Sequence, residues 1–570
     1  MDETLDAAGS QAVPSVELRP GIHYWRLFGR LGSATSERSS PVWQFWVGAR
    51  SAPVDTSWGT VPDFNGDGYA DIVIGAPGAS PGGRMMAGVV VVYLGGGGGV
   101  SASPSRILEG VTAGDAFGTM VAPAGDVNGD GFGDLLIGAP QASPGGRAGA
   151  GAAMIYLGGE GGIGSSASAL LEGTMVGGAF GSSAAAGDVN LDGFADVLVG
   201  APTASPGARS GAGTASLFLG HSSLIAGPPS QTLEGAAAGG SLGRSLASGD
   251  VNGDGFVDLV LGVPFADSSG GARTGAVRVY HGSPTGVGDA PSRVVDGVAG
   301  REGLGTSVAS AGDVNGDGYV DLLVGAPFAA PGGRIDAGAV RLFLGSSGGI
   351  GAMPARVFEG VEEDDELGKV IGTAGDLNRD GYTEIFLGVS FADPGGRAGA
   401  GIVSLFPGGS SGVSSSPLRV IEGAAAQDGL GSSVAAAGDV NGDGFLDLLV
   451  GASFASPAGR REAGAANLFL GGSSGIGAVP SRIFEGMSVG ERLGTSLADA
   501  DDWIGSRGMS SWIGALEQPV LNSFPTSFSG RSYPWKRVLF RRVVPPGSGQ
   551  RMSRMFLHAA LGSSFTQSVL

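Results

Sequence analysis

Short apolar runs alternate with glycine-rich polar segments along most of this 570-residue chain. One unit contains "LGTSVASAGDV", "DLLVGAP", "AGAVRLFLG" and "ARVFEG" in that order. Each run has the length and the residue types of a β-strand, and the segments between the runs are typical of turns. The pattern therefore predicts four strands per unit and an all-β fold.

The four-strand unit recurs with an almost constant period. An acidic loop of nine residues follows the first strand, and successive loops begin 62 or 63 residues apart. The seven loops begin at Asp63, Asp126, Asp188, Asp250, Asp313, Asp376 and Asp439. A single four-stranded unit cannot cover both of its apolar faces, so it gains stability by stacking around an axis. We expect a seven-bladed β-propeller of four-stranded blades, with a β-solenoid or a string of independent modules as the alternatives.

The acidic loop has the composition of a cation site. In "DVNGDGYVD", which begins at Asp313, side-chain oxygens occupy positions 1, 3, 5 and 9, and the glycine at position 6 permits a sharp turn. With the carbonyl of position 7, these donors suit calcium better than magnesium or zinc. Without a cation, three carboxylates so close together would repel one another. A polar turn without a ligand is the alternative.

An EF-hand is excluded by position 12 of the loops. That motif requires an acidic residue there, whereas all seven loops carry Ile, Val or Leu. The residues after position 9 also resemble a buried strand rather than an exiting helix. Each loop is therefore predicted to join two strands.

The predicted calcium ligands occupy positions 1, 3, 5, 7 and 9 of every loop. They are Asp63, Asn65, Asp67, Tyr69, Asp71, Asp126, Asn128, Asp130, Phe132, Asp134, Asp188, Asn190, Asp192, Phe194, Asp196, Asp250, Asn252, Asp254, Phe256, Asp258, Asp313, Asn315, Asp317, Tyr319, Asp321, Asp376, Asn378, Asp380, Tyr382, Glu384, Asp439, Asn441, Asp443, Phe445 and Asp447. Loop three carries Leu191 at position 4. Loop six has Arg379 there and Glu384 instead of Asp at position 9, so we expect it to bind calcium most weakly.

Composition and charge exclude several kinds of site and partner. The chain has no cysteine, which excludes disulfides and cysteine-ligated zinc, and no apolar run long enough to span a membrane. The loops hold 21 of the 53 acidic residues and so account for the net charge of −20. The repeat body offers no basic surface, and no nucleic-acid partner is predicted.

The two ends of the chain differ from the repeats. All seven tryptophans lie before the first acidic loop or after residue 502. The segments "LRPGIHYWRLFG" and "SPVWQFWVGAR" resemble the last two strands of a fibronectin type III domain, with Leu18, Pro20 and Tyr24 in its tyrosine-corner pattern. We therefore divide the chain into a truncated fibronectin-like part at 1–50, a propeller at 51–502 and a basic tail at 503–570.

The sequence at both boundaries is typical of a fragment. The start, "MDETLDAAGSQ", lacks the layout of a signal peptide, so we expect the signal peptide and the earlier fibronectin-like strands to lie upstream. Near the other end, "LGTSLADADD" begins an eighth unit, but no acidic loop follows. Residues 503–570 are predicted to be a disordered basic tail or the product of a frame change in the gene.

Motifs for catalysis are weak. The four histidines share no recurring position. "GHSSL" at Gly220 resembles a serine-nucleophile elbow, but Leu224 stands where the closing glycine is needed. "GGGGG" at Gly95 lacks the Gly-Lys-Ser/Thr ending of a phosphate-binding loop. We predict that the chain is not an enzyme.

Two further motifs recur from unit to unit. The first is "AFG" at Phe117 and Phe180, and Leu-Gly at Leu242, Leu304, Leu367, Leu430 and Leu493. The second is "GAP" or a variant of it at Gly75, Gly138, Gly200, Gly262, Gly325, Gly388 and Gly451. Together with the acidic loops, these motifs resemble FG-GAP repeats, as found in the integrin α-subunit propeller and its bacterial relatives. The resemblance implies a seven-bladed propeller with calcium in hairpin loops on one face. The first unit lacks a complete first strand, and we expect the extra copy at Leu493 to close the ring.

The resemblance also implies a function. We expect a secreted or cell-surface module for adhesion or ligand binding, with calcium as its cofactor and a protein or an acidic polysaccharide as its partner. The alternatives are an accessory propeller of a larger secreted hydrolase or lyase, with the catalytic domain outside this fragment, and a structural stalk.

One arginine recurs in the connection between the second and third strands. The seven are Arg84, Arg147, Arg209, Arg273, Arg334, Arg397 and Arg460. Because strands alternate in direction, this connection should lie opposite the calcium loops, where a ring of arginines would bind carboxylates or phosphates. In the structural alternative, each arginine pairs with an acid near the start of the next unit, such as Asp115, Glu302, Asp428 or Glu491.

Overall fold

The computed structural model describes residues 63–498, except 224, 226, 269 and 474, and six strands nearer the chain ends. Those six strands form one sheet in a separate compact unit made mostly of the two terminal segments. They are Leu5–Asp6, Gly21–Leu31, Ala34–Ser39, Trp43–Val47, Lys536–Arg541 and Phe565–Val569. Apart from these strands, the residues before 63 and after 498 are not described. The predicted fibronectin-like part at 1–50 and the predicted tail at 503–570 therefore lie largely outside the described residues.

Residues 63–498 form seven antiparallel sheets of four strands each, which confirms the predicted seven-bladed propeller. From the innermost strand outward, the first four blades are Ser496–Leu497, Ile72–Ala76, Val89–Tyr93 and Arg106–Glu109; Met120–Gly125, Asp134–Ala139, Ala152–Tyr156 and Ala169–Glu172; Ser183–Gly187, Asp196–Ala201, Thr214–Phe218 and Gln231–Glu234; and Leu246–Gly249, Asp258–Val263, Ala276–Tyr280 and Arg293–Asp296. The other three are Ser307–Gly312, Asp321–Ala326, Ala339–Phe343 and Arg356–Glu359; Val370–Gly375, Glu384–Val389, Ile402–Phe406 and Arg419–Glu422; and Leu430–Gly438, Asp447–Ala452, Ala465–Phe469 and Arg482–Glu485.

The end of the repeat body closes the ring. Ser496–Leu497 pairs antiparallel with Ile72–Ala76, so blade one takes its innermost strand from the far end of the sequence. The copy that begins at Leu493 therefore completes the first unit, as the sequence predicts. Closure gives every blade a neighbour on both sides, so no blade leaves an apolar face uncovered.

The hydrophobic core lies between the blades. Seven buried clusters of described residues each combine side chains from two consecutive blades, and one of them joins blade seven to blade one. The second strand of each blade is the most enclosed, and all six residues of Asp321–Ala326 are buried. A strand that is covered on both faces needs a continuous apolar run, which explains the sequence "DLLVGA".

The glycines of the two repeat motifs meet where neighbouring blades touch. A Cβ added to Gly75, in "GAP" of blade one, would collide with the carbonyl oxygen of Gly118, in the "AFG" that leads into blade two. Gly118 has a φ of 83°, and its N–H donates to the carbonyl of Gly138 at 3.0 Å. The same close approach occurs between all seven pairs of neighbouring blades. The motifs therefore mark positions where two backbones pack without an intervening side chain.

Six connections between the second and third strands contain a short 3-10 turn. The turns are Pro81–Gly83, Pro144–Gly146, Pro206–Ala208, Pro331–Gly333, Pro394–Gly396 and Pro457–Gly459. Each begins with proline, whose fixed φ and missing N–H suit the first position of a turn. Each is followed directly by the recurring arginine.

Candidate functional site

The seven acidic loops precede the second strand of every blade. Loops two to seven join the innermost strand to the second strand; in blade five the loop follows Ser307–Gly312 and ends at Asp321, the first residue of the next strand. Loop one precedes Ile72–Ala76, whose innermost partner strand comes from the far end of the repeat body. Because the blades share one strand order, all seven loops lie at the same end of the propeller.

The carboxylate at position 1 holds the turn of the loop. In loop five, Asp313 Oδ1 accepts hydrogen bonds from the N–H of Gly316 at 2.7 Å and of Asp317 at 3.0 Å. Its Oδ2 accepts one from the N–H of Gly318 at 2.7 Å. Loops one, two and four repeat this arrangement. A short carboxylate at this position therefore satisfies three successive backbone donors.

The side chains at positions 3 and 5 are bonded to each other. Asn315 Oδ1 accepts a hydrogen bond from the N–H of Asp317 at 2.9 Å, and Asn315 Nδ2 donates to Asp317 Oδ2 at 2.9 Å. Asp317 Oδ1 accepts a further bond from the N–H of Tyr319 at 3.1 Å. Loops one, two, four, six and seven have the same pairing of positions 3 and 5.

The carboxylate at position 9 ties the loop to the rest of its blade. Asp321 Oδ2 accepts a hydrogen bond from the N–H of Val314 at 3.0 Å, and Oδ1 accepts one from the N–H of Gly345 at 2.8 Å. Gly345 lies between the third and fourth strands, 24 residues further along. In loop six the longer Glu384 keeps the first of these bonds, from Leu377 at 2.8 Å.

Burial disfavours the ionised form of these carboxylates. Asp321 is 0% exposed, and burial raises its pKa to about 8. Burial likewise raises the pKa of Asp63, at position 1 of loop one, to about 7. The pKa of Asp71 is raised well above its usual value by burial first and by the nearby charge of Asp63 second. Burial therefore disfavours the ionised form of these carboxyl groups, and a nearby positive charge would stabilise that form.

The donors of the loops fit a hard divalent cation. Within the described residues, no Lys or Arg forms an ion pair with Asp63, Asp71 or Asp258, although all three are buried. The other donors are amide and carbonyl oxygens, which calcium accepts readily. Among the described residues, the structure does not bring three His, Asp or Glu side chains together in a group that could hold a metal ion.

Neighbouring loops are bonded to one another. The carbonyl of position 1 accepts a hydrogen bond from position 8 of the next loop, as between Asp313 and Thr383 at 3.2 Å and between Asp439 and Ala70 at 3.1 Å. The second of these bonds joins blade seven to blade one. The conformation of one loop is therefore coupled to that of the next.

Loops three and six place a side chain where the other five have glycine. Leu191 has a φ of 56° and Arg379 a φ of 62°, in the left-handed region that costs a residue with a Cβ about 1 kcal/mol. The guanidinium of Arg379 lies 4.7 Å from the ring centroid of Phe445 in loop seven. The positive charge of Arg379 therefore lies next to loop seven. The expected weakness of loop six stays a prediction.

Five of the recurring arginines pair with a glutamate of their own blade. Arg397 Nη2 lies 2.7 Å from Glu422 Oε2, and Arg397 Nε donates to the carbonyl of Gly423 at 3.1 Å. The equivalent pairs are Arg84–Glu109, Arg147–Glu172, Arg209–Glu234 and Arg460–Glu485. Each of these glutamates is the last residue of an outermost strand. The two remaining arginines differ: Arg334 donates to the carbonyl of Gly360 at 3.0 Å, and Arg273 lies over the ring of Phe265.

The predicted acidic partners of these arginines were wrong. Within the described part of the chain, none of the ring arginines pairs with Asp115, Glu302, Asp428 or Glu491. The buried Glu302 pairs instead with Arg341 at 2.7 Å. In an antiparallel blade the fourth strand ends on the side where the second-to-third connection emerges, so its last residue is nearer to the arginine than the next unit is. The ring as an anion-binding surface stays a prediction.

The serine-elbow resemblance corresponds to a local turn. His221 Nδ1 lies 2.8 Å from Ser223 Oγ, and the N–H of Ser223 is 3.2 Å from the same nitrogen. Both residues are exposed and lie two positions apart. A nucleophile and base of this kind need a third group that orients the base, and no hydrogen bond in the described residues gives His221 an acidic partner.

Comparisons with known proteins agree with the fold. The family model described as FG-GAP repeat matches residues 56–93, 117–156, 180–218, 242–280, 304–343, 370–406 and 430–466. Integrin alpha-V of Gallus gallus is 34% identical over 220 residues, which cover 37% of this chain and 20% of that protein. Integrin alpha-5 of Xenopus laevis is 33% identical over 221 residues, with the same two coverages of 37% and 20%.

A relative of another class also matches. The phosphatidylinositol-glycan-specific phospholipase D of Bos taurus is 35% identical over 164 residues, which cover 27% of this chain and 19% of that protein. The chain thus matches about a fifth of the length of each of these three relatives. None of the helices within residues 63–498 has the length and apolar character to cross a bilayer.

Proposed function

This chain belongs to the FG-GAP repeat family and folds as an integrin α-like propeller, and from that premise we propose that it is a calcium-stabilised module for adhesion or ligand binding. The observation that carries the proposal is the sevenfold repetition of buried carboxylates in loops whose donors are all oxygens. Burial of an ionised carboxylate is costly without compensating positive charge, and within the described residues no Lys or Arg pairs with Asp63, Asp71 or Asp258. A cation bound in each loop would supply that charge.

Calcium would be held by positions 1, 3, 5, 7 and 9 of each loop. The bound cation supplies the positive charge that keeps the buried carboxylates of positions 1 and 9 ionised. In loop five, Asp313 and Asp321 already have their backbone bonds, so they are fixed in place. Asn315 and Asp317 would break their mutual side-chain hydrogen bond and bind the cation through their side-chain oxygens instead.

The proposed setting is extracellular or at the cell surface, with a protein or an acidic polysaccharide as ligand. The integrin relatives support adhesion, and calcium is abundant outside cells. In this role the propeller is not catalytic. It presents surfaces that the ring of seven blades keeps rigid.

An accessory propeller in a larger secreted hydrolase or lyase is the second candidate. The match to a phospholipase D supports it, because that enzyme contains a stretch similar to blades of this chain. The two candidates differ in what accompanies the propeller. A catalytic domain encoded in the same protein would favour the second.

A binding array tests the proposed function. The full chain is incubated with arrays of anionic and neutral glycans and of extracellular matrix proteins, in calcium or in excess EDTA. We expect calcium-dependent binding to a subset, because the loops order the propeller that presents the surface. Binding of equal strength in both conditions would contradict the proposal.

A further inference from the structure

The asparagines of this chain are concentrated in the acidic loops. Seven of them occupy position 3, and five of those seven precede glycine: Asn65, Asn128, Asn252, Asn315 and Asn441. Every Asn-Gly pair in the sequence lies in a loop. In loops three and six, Asn190 precedes Leu191 and Asn378 precedes Arg379.

An Asn-Gly pair is chemically labile when it is free to move. The backbone nitrogen of the glycine loses its proton and attacks the Cγ of the asparagine, the side-chain nitrogen leaves as ammonia, and a succinimide ring remains. Water then opens the ring at either carbonyl and gives aspartate or isoaspartate. Glycine permits the reaction because it has no side chain to obstruct ring closure, whereas Leu or Arg hinders it.

The folded loop restrains both reacting groups. In loop five, the attacking nitrogen of Gly316 donates its proton to Asp313 Oδ1 at 2.7 Å. The side-chain amide of Asn315 is bonded through its oxygen to the N–H of Asp317 and through its nitrogen to the carboxylate of Asp317, each at 2.9 Å. Loops one, two and four have the same three bonds. Cyclisation therefore requires the loop to open.

We propose that these five asparagines are modification sites which deamidate when their loops lose the cation. The inference rests on the proposed calcium binding, since a loop whose buried carboxyl groups lack a counterion opens more often than one that holds a cation. Isoaspartate would add one carbon to the backbone between positions 3 and 4 and so change the spacing of the donors at positions 1, 3 and 5. A loop modified in this way could not bind the cation again. A period without calcium would therefore leave an irreversible covalent change in the loop.

The expected size of the effect follows from the population of open loops. At calcium ten times above the dissociation constant, the cation-free fraction falls about elevenfold. If only cation-free loops open and react, the five sites should deamidate about tenfold more slowly in calcium than in EDTA.

Mass spectrometry of the full chain tests this expectation. Samples are held for days in calcium or in EDTA at one temperature, which lies below the onset of unfolding of both samples. Conversion of the asparagine amide to an acid is followed as a mass increase in the peptide that contains each loop. We expect all five Asn-Gly sites to react faster in EDTA. Asn190 and Asn378, which do not precede glycine, are the internal controls and should change little in either condition.

A variant restricted to one loop makes the test local. Asp317→Ala removes one carboxylate ligand of the cation and the bond from Asn315 Nδ2 to Asp317 Oδ2, so in calcium Asn315 should deamidate about tenfold faster, while the other four sites keep their rates. If calcium titrates into the protein but EDTA and Asp317→Ala leave the rates unchanged, the deamidation proposal is overturned and the cation proposal stands. If calcium does not titrate and the rates are equal, the cation proposal fails.

Discussion

Within an acidic loop, residues of the same type have different tasks. Asp313 closes the turn and Asp321 ties the loop to its blade, and both are buried. Asp317 is exposed, and its hydrogen bonds are to its near neighbours Asn315 and Tyr319. Removal of Asp317 should therefore affect the cation, whereas removal of the other two aspartates should also disturb the fold.

Calcium titration of single-site variants tests this division. Asp317→Ala should lose about one of the seven bound ions and leave the melting temperature in EDTA unchanged, because its side chain is exposed and bonds only within the loop. Glu384→Ala should reduce the total calcium bound by less, since loop six is expected to be the weakest site. Equal losses from the two variants would contradict the ranking of the sites.

The sequence predicts the composition of the candidate site but not its internal bonds. The spacing of Asp and Asn identifies positions 1, 3, 5 and 9 because each is a side-chain donor that recurs seven times. The bond from Gly345 to Asp321 could not be predicted, because it joins residues 24 positions apart whose meeting depends on the hairpin between them. The near-complete burial of position 9 likewise follows from the packing of blades.

At the scale of elements, the connection opposite the loops is a repeated rigid turn. A proline begins a 3-10 turn, the arginine follows, and its guanidinium reaches back to the outermost strand. The pairs are about one-third to one-half exposed, so each contributes only ~0–1 kcal/mol. A role in binding an anion is therefore compatible with the pairing.

Replacement of two ring arginines tests the predicted anion surface. In Arg334→Ala with Arg397→Ala, we expect loss of salt-sensitive binding to an anionic glycan and little change in melting temperature, because exposed pairs stabilise weakly. Arg461→Ala is the matched control, since it removes an exposed positive charge next to the ring position Arg460. Intact binding with lost stability would show that the arginines have a structural role alone.

Strands were predictable and side-chain partners were not. The strands of blade five agree with the four predicted apolar runs. A strand that is buried between blades requires apolar residues, and such runs are visible in the sequence. The partner of the arginine was predicted wrongly because it depends on which strand returns to that end of the blade. A signal was present: in six units a glutamate followed by glycine recurs 25 residues after the arginine, and in five of those units the two side chains pair.

At the scale of the whole molecule, stability is distributed around the ring. Every core cluster is shared by two blades, and Ser496–Leu497 makes blade one dependent on the far end of the repeat body. The closure was predictable because the first unit lacks a complete first strand and an extra copy follows the last. The bonds between neighbouring loops, such as Ala70 to Asp439, could not be predicted, since they exist only once the ring is closed.

Seven coupled cation sites would supply a large part of the stability of such a ring. With calcium ten times above the dissociation constant, each site adds roughly 1.4 kcal/mol, and seven add about 10 kcal/mol. This sum is similar to the ~5–15 kcal/mol that stabilises a typical folded domain. The central claim is therefore that the propeller is stable because its loops hold calcium.

Thermal unfolding of the full chain in calcium and in excess EDTA tests that claim most directly. We expect EDTA to lower the melting temperature by on the order of 10 °C or more, and renewed addition of calcium above the chelator concentration to restore it. Magnesium at the same concentration should restore less, because its strict octahedral preference suits the loop poorly. An identical melting temperature with and without EDTA would contradict the account.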